Sequence, residues 1–130
     1  MGLRKPEIAA KKPVASDHDQ TASGKIITIF RSRLRQEHEA KYHQVAAHIH
    51  ELARRMPGFI AIKTFAAPDG ERVSIVEFTS EAAQKAWREH PEHREAQRLG
   101  RDEFYAEYQI QVCRLEREYG MGGRFGSAGG

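Results

Sequence analysis

The sequence predicts an α+β domain of the ferredoxin-like, split βαββαβ type, with a four-stranded antiparallel sheet. Three observations carry that prediction. Runs with strand character alternate with helical runs in the order β-α-β-β-α-β. The middle two strand runs are joined by Pro68-Asp69-Gly70, a turn signal that makes them a hairpin. The first helical run carries an apolar stripe on one side only, as suits a helix lying on a sheet.

Residues 25–34 (KIITIFRSRL) start apolar and become alternating. Phe30, Ser32 and Leu34 share one side and Ile29, Arg31 and Arg33 the other. The arginines at alternate positions, Arg31, Arg33 and Arg35, read as a solvated strand edge rather than an anion site. In residues 36–56 the stripe is Tyr42, Val45, Ala46, Ile49, Leu52, Ala53 and Met56, and Pro57-Gly58 stops the helix. His43, His48 and His50 fall off this stripe. No two histidines in this helix stand at i, i+4, the spacing that grips a metal from one helix face, so they read as a solvated polar face and no metal site is expected. Residues 59–65 and 72–79 are the hairpin strands.

Ser80 is a good N-cap for the next helix, in which Ala82, Ala83, Ala86 and Trp87 recur at helical spacing. Pro91 cannot continue that helix but suits the first position of another, so the second helix is broken there. Its continuation runs from Pro91 to about Tyr105, with a further break near Gly100-Arg101. Trp87, His90 and His93 are thereby gathered around a corner. The last strand is 107–115, with Tyr108, Ile110 and Val112 alternating against Gln109, Gln111 and Cys113. Cys113 reads as a small buried packing residue, since nothing nearby would make its thiol a thiolate.

The 130 residues divide into a disordered N-terminal tail (1–24), one domain (25–118) and a glycine-rich flexible tail (119–130). The net charge of +3 is shared among all three parts. The domain therefore has no basic face, and nucleic acid is not an expected partner. No apolar run reaches the roughly 20 residues that span a bilayer, and no secretory apolar region is present, so no membrane association is expected. A single cysteine, Cys113, fits the reducing cytoplasm. Several strands are apolar at adjacent positions, so the sheet side without helices still carries Phe59 or Ile60, Ile75 or Val76, and Ile110 or a neighbour. Such a face needs a cover, and a homodimer with two sheets face to face is expected.

The run Met56-Pro57-Gly58-Phe59 after a long helix, then the hairpin, then Ser80-Glu81-Ala82 and Trp87-Arg88-x-His90-Pro91-x-His93, resembles the antibiotic biosynthesis monooxygenase superfamily. So does the closing Gln97-x-x-Gly100-Arg101, Phe104-Tyr105 and Tyr108-x-Ile110-x-Val112. The resemblance covers residues 25–118 and implies a dimeric α+β barrel. It further implies a monooxygenase that uses no cofactor and oxidises a small aromatic, quinol- or anthrone-like molecule with O₂. A second reading stays open: a non-catalytic barrel of the same fold that binds a small ligand or serves in stress or regulation. The haem-degrading branch of the superfamily fits less well. Trp87 matches its tryptophan, but Ser32 and Gln97 stand where it has an asparagine and the iron-binding histidine, and glutamine is a poor axial ligand for haem iron.

A cofactor-free oxygenase needs a base, an apolar slot for a ring and donors for an oxyanion. His93 or His90 offers the base, because imidazole titrates near neutrality. Trp87 offers a wall of the slot with an indole N–H. Arg101, Tyr105 and Tyr108 are candidates to bind the anion, with Ser32 on the first strand. Each has a plainer reading too: Trp87 as a core anchor, His90 as a helix cap, Arg101 as a ligand of free carbonyls, and the tyrosines as dimer contacts.

Overall fold

A computed structural model describes residues 24–122. Of the tails assigned to residues 1–24 and 119–130, residues 1–23 and 123–130 lie outside that range. The described chain runs β1 (Ile26–Leu34), a 3₁₀ turn (Gln36–His38), α1 (Glu39–Arg54), β2 (Phe59–Ala66), β3 (Arg72–Phe78), α2 (Glu81–Arg88), α3 (Pro91–Leu99), a π-helical turn (Gly100–Phe104) and β4 (Tyr105–Arg114). The four strands form one antiparallel sheet in the order β2-β3-β1-β4. This is the ferredoxin-like arrangement, with the helices on one side of the sheet.

Local chemistry explains the joints. Gly58 ends α1 with φ +84°, a conformation that costs an L side chain energy, and its carbonyl accepts the Thr79 N–H at 2.8 Å. In the hairpin the Asp69 side chain accepts the Glu71 N–H at 3.0 Å, and Gly70 takes φ +94°. Ser80 Oγ accepts the Ala83 N–H at 3.1 Å and starts α2. Pro91 opens α3, as its missing N–H and fixed φ allow. The expected break near Gly100 is a π-helical turn. It ends by handing the chain to β4 at Tyr105, two residues earlier than the alternation alone places the strand.

The arginines of β1 brace the hairpin and the sheet end. Arg31 pairs with Glu71; Arg33 reaches Asp69 at 3.2 Å and Glu107 at 3.0 Å; Arg35 Nε donates to the Tyr105 carbonyl at 3.1 Å.

The fully packed core is small. Ala53, Phe78 and Trp87 are buried, with Ile49, Leu52, Met56, Phe59, Val76 and Ala83 against them. It occupies one end of the layer between helices and sheet. Toward the other end the facing residues are small or short, among them Thr28, Ala46, Ser74 and Ala96, and they leave a cavity. Cavity-side residues on β1 and β3 are Thr28, Phe30, Ser74, Val76 and Phe78. Their neighbours therefore face away from the helices: Ile27 and Ile29 on β1, and on β3 Ile75, paired with Ile29, and Val73, paired with Arg31. Val76 and Ile110 belong to the cavity side, so of the pairs left open by the sequence it is Ile75 that lies on the bare side. Cys113 is exposed, contrary to expectation. It pairs with Ile27 on the edge strand β4, on the side that carries no helix.

Candidate functional site

The cavity measures about 360 Å³, within the range of small-molecule pockets. Its walls come from every layer of the domain. The sheet contributes Phe30, Ile62, Val76, Ile110 and Val112; α1 contributes Tyr42, Val45, Ile49 and His50; α2 and α3 contribute Gln84, Trp87, Arg88, His93 and Gln97. The surface of the lining is mostly apolar and carries polar groups from the sheet and all three helices, the composition of a small-molecule pocket.

The corner at Pro91 builds one end. Trp87 is only 5% exposed and serves both as core anchor and as cavity wall. His93, one turn into α3, stacks on the indole with ring centroids 4.0 Å apart and planes 14° apart. Its Nδ1 lies 3.1 Å from the Trp87 carbonyl oxygen. A carbonyl only accepts, so Nδ1–H donates and Nε2 keeps the free lone pair of a neutral imidazole. Burial holds the His93 pKa below the usual histidine value, against the opposing pull of that carbonyl, and nearby His90 lowers it further. The group is thus a neutral base in a largely apolar wall.

His90 has a different task. Its Nδ1 accepts the Glu92 N–H at 3.2 Å and caps α3, and it is absent from the cavity wall. The plainer reading of a helix cap holds, but at the N-terminus of α3 rather than the C-terminus of α2. Ser32 is also displaced from its expected role. It is buried in the sheet and borders a separate polar cleft with Arg31, Arg33 and Glu107. The cavity's polar wall near the sheet is Thr28 and Ser74 instead.

The other end is aromatic. Tyr105 stands edge-on to Phe30 at 5.2 Å and lies 6.0 Å from Tyr42 and 5.8 Å from Tyr108. Burial first, and Tyr42 second, push the Tyr105 phenol well above its ordinary value, so it stays a protonated donor. Arg101 from the π-helical turn reaches the wall, as do Tyr105 and Tyr108. Five of the seven side chains singled out in the sequence therefore meet at one cavity: Trp87, His93, Arg101, Tyr105 and Tyr108.

Four residues at the cavity were read otherwise from the sequence or not at all: Tyr42, His50, Gln84 and Arg88. His50 corrects the expectation of a solvated histidine face. It is half-buried, with its pKa lowered by burial and then by the positive charges of Arg54 and Arg72. Its position four residues after Ala46, where no bulk blocks access, was the available signal. His43 and His48 are exposed as expected, and His48 reaches Glu92 at 2.6 Å to tie α1 to α3. Among the described residues no cluster of histidine, cysteine and carboxylate side chains is placed to hold a metal.

Comparison with known proteins supports the same picture. The antibiotic biosynthesis monooxygenase family matches residues 25–99. Over 87 residues the chain is 29% identical to YqjZ of Bacillus subtilis, a stretch covering 67% of this chain and 76% of that one. Among solved structures, a conserved protein from Methanosarcina mazei is similar with a TM-score of 0.64 and 13% identity, over 71% of this chain and 93% of its own. SnoaB, a cofactor-independent oxygenase from Streptomyces nogalater, is similar with a TM-score of 0.62 and 16% identity, also over 71% of this chain and 93% of its own. At those identities the structural likeness is one of fold.

Proposed function

Because the chain belongs to the antibiotic biosynthesis monooxygenase family, we propose that its cavity oxidises a small, flat aromatic molecule of the quinol or anthrone kind with O₂, without a metal or flavin. The observation that carries this is His93: a neutral imidazole, stacked on Trp87, whose one N–H is spent on a backbone carbonyl and whose other nitrogen is free to take a proton.

For an anthrone the steps follow from that arrangement. His93 Nε2 removes a proton from the ring methylene, and the negative charge spreads onto the substrate oxygen. Protonated Tyr105 and the Arg101 guanidinium supply donors for that oxyanion. The electron-rich anion passes one electron to O₂, and the resulting radical pair joins to form a carbon–oxygen bond. The peroxide takes up the proton from His93. Loss of the second methylene proton then breaks the O–O bond, leaving a carbonyl and releasing water. The substrate supplies every electron, so no cofactor enters the balance. The apolar wall of Trp87, Ile49, Val76 and Phe30 holds the ring and keeps water from the anion.

We further propose that two copies pack through their bare sheet sides. Ile27, Ile29, Val73 and Ile75 lie there without cover from a helix. The cavity's own β4 rim is open, with Tyr108 44%, Ile110 52% and Val112 53% exposed, so a second copy reaching this edge would close the slot. The free, exposed Cys113 suits the reducing cytoplasm, where we place the protein.

Oxygen uptake tests the reading, using a panel of reduced naphthoquinols and anthrones with chelator-treated protein and autoxidation subtracted. Saturable uptake is expected. His93→Ala should lower it by about two to four orders of magnitude, the usual contribution of a positioned base, and Trp87→Phe should weaken substrate binding. Uptake equal to the blank across the panel, or full activity in His93→Ala, would overturn it.

A further inference from the structure

We infer that the end of the cavity opposite His93 is an anion subsite, formed by Tyr42, Tyr105 and Arg72, and that its ligand is a flat aromatic carrying a carboxylate. Arg72 is the starting point. Among the described residues its Nε is the one buried side-chain nitrogen or oxygen without a hydrogen-bond partner. Burying a charged donor unmatched is costly, and native structures rarely tolerate it without a reason. By contrast, Arg31, Arg33 and Arg98 each reach a carboxylate. Arg72 instead lies over the face of the Tyr42 ring, 5.7 Å from its centroid.

The neighbours of Arg72 leave its charge unbalanced. It sits on β3 between buried Ser32 of β1 and Ala66 of β2. Its charge is felt by His50, which burial and Arg54 also keep neutral, and by Tyr105, which burial keeps protonated. Each of these groups is uncharged, and among the described residues no carboxylate forms an ion pair with Arg72. Tyr42 and Tyr105 present phenols at the cavity wall, close enough for their hydroxyls to interact, while Arg72 stands in the row behind Tyr42. The hydroxyls are the direct donors, and Arg72 supplies the charge that makes them prefer an anion. A phenol donor backed by a fixed positive charge suits a carboxylate.

This deepens the reading of the cavity as a slot for a flat ring, but it does not depend on turnover. The test therefore uses ligands that O₂ does not oxidise. Anthraquinone-2-carboxylate and its methyl ester are titrated into the full-length protein, with quenching of the sole tryptophan, Trp87, as the signal. The acid should bind about tenfold or more tightly than the ester, the scale of a charge-assisted contact. Arg72→Met should bring the acid to the ester's affinity and leave the ester within about twofold. Arg72→Lys should keep part of the preference, and Tyr105→Phe should lose part of it. Because methionine retains the aliphatic stem and removes a buried N–H without a partner, Arg72→Met is expected to melt no lower than the parent without ligand. The acid should raise the melting temperature of the parent more than the ester does, and in Arg72→Met the two shifts should be equal. Equal binding of acid and ester by the parent would overturn the inference. So would a parallel loss of both ligands in Arg72→Met, or unfolding of that variant, since either assigns Arg72 a structural role. Absence of oxygen uptake alongside a clear acid preference would sink the oxygenase reading and leave this one standing.

Discussion

Replacing Gly100 with alanine tests how tightly the aromatic end of the cavity is built. Gly100 opens the π-helical turn with φ −58°, a conformation any residue adopts, so the substitution carries no backbone strain. The difficulty is a neighbour. A Cβ there would stand 2.5 Å from Cε2 and 2.9 Å from Cδ2 of Tyr105. Carbon atoms settle at about 3.5–4.0 Å, so the ring must retreat by about 1 Å. Phe30, Tyr42 and Tyr108 already pack around it, with centroids 5.2, 6.0 and 5.8 Å away. Overpacking of this kind costs about 1–3 kcal/mol, and a value near 2 kcal/mol lowers the melting temperature of a domain this size by about 10 °C. Urea unfolding followed by Trp87 fluorescence measures it. The same substitution in a Tyr105→Val background should reverse sign, because the clash is gone and alanine is favoured over glycine in a helical turn by about 1 kcal/mol. Gly100→Ala within about 0.5 kcal/mol of the parent, or an equal loss in both backgrounds, would refute the reasoning.

The remaining predictions concern the base, the α1 stop and the dimer. Burial holds the His93 imidazole below its ordinary value, so its base form persists as pH falls through the usual histidine range near 6.5. The pH profile of kcat/KM should accordingly stay level to about 6.5 and fall only below it; an acid limb centred higher would exclude His93. The same sign governs stability: with folded pKa values lowered at His50 and His93, the stabilisation is complete above the unfolded value and is lost as pH falls through the folded one. Gly58→Ala should cost about 3 kcal/mol, more than Gly100→Ala, because it adds a left-handed backbone penalty to a Cβ only 2.6 Å from Ala83 Cβ and 2.8 Å from Thr79 Oγ1, where φ is +84°. Its measure is the urea midpoint. Ile29→Asp, at the centre of the bare sheet side, should convert a dimer to a monomer in sedimentation velocity, whereas an unchanged mass would place the contact elsewhere.

Residues whose role is set by their immediate neighbours could be read directly. Ser80, Pro91 and Pro68-Asp69-Gly70 act within a few bonds, and each does in the structure what its type dictates. The α1 stripe has a period that only a helix on a sheet explains. From these joints the meeting of Trp87 and His93 follows, since two turns of helix on either side of a proline corner bring them into stacking distance. What could not be read depends on direction or on distant neighbours. His90 and His93 are three residues apart, yet His90 turns back to the helix start and His93 turns in, because ψ of 132° at His90 rotates the chain between them. His50 and Tyr42 were hidden in opposite ways, one as a polar residue beside a stripe and one as part of it. Both line the cavity because small side chains at Ala46, Ser74 and Ala96 leave the space unfilled. Arg72 stands at the start of a strand, a position with no local signal of its own. Its guanidinium lies over the ring of Tyr42, thirty residues earlier, and no local pattern announces that.

The most direct test of the central claim is the state of a bound substrate before oxygen arrives. Dithranol, an anthrone, is mixed anaerobically with the protein at neutral pH and its absorption spectrum recorded. If His93 is the base, the bound molecule will show the red-shifted band of its anion while free dithranol at the same pH remains neutral, and His93→Ala will bind it without that band. Bound dithranol that keeps the neutral spectrum in the parent protein would contradict the account, because oxygen would then meet no electron-rich anion in this cavity.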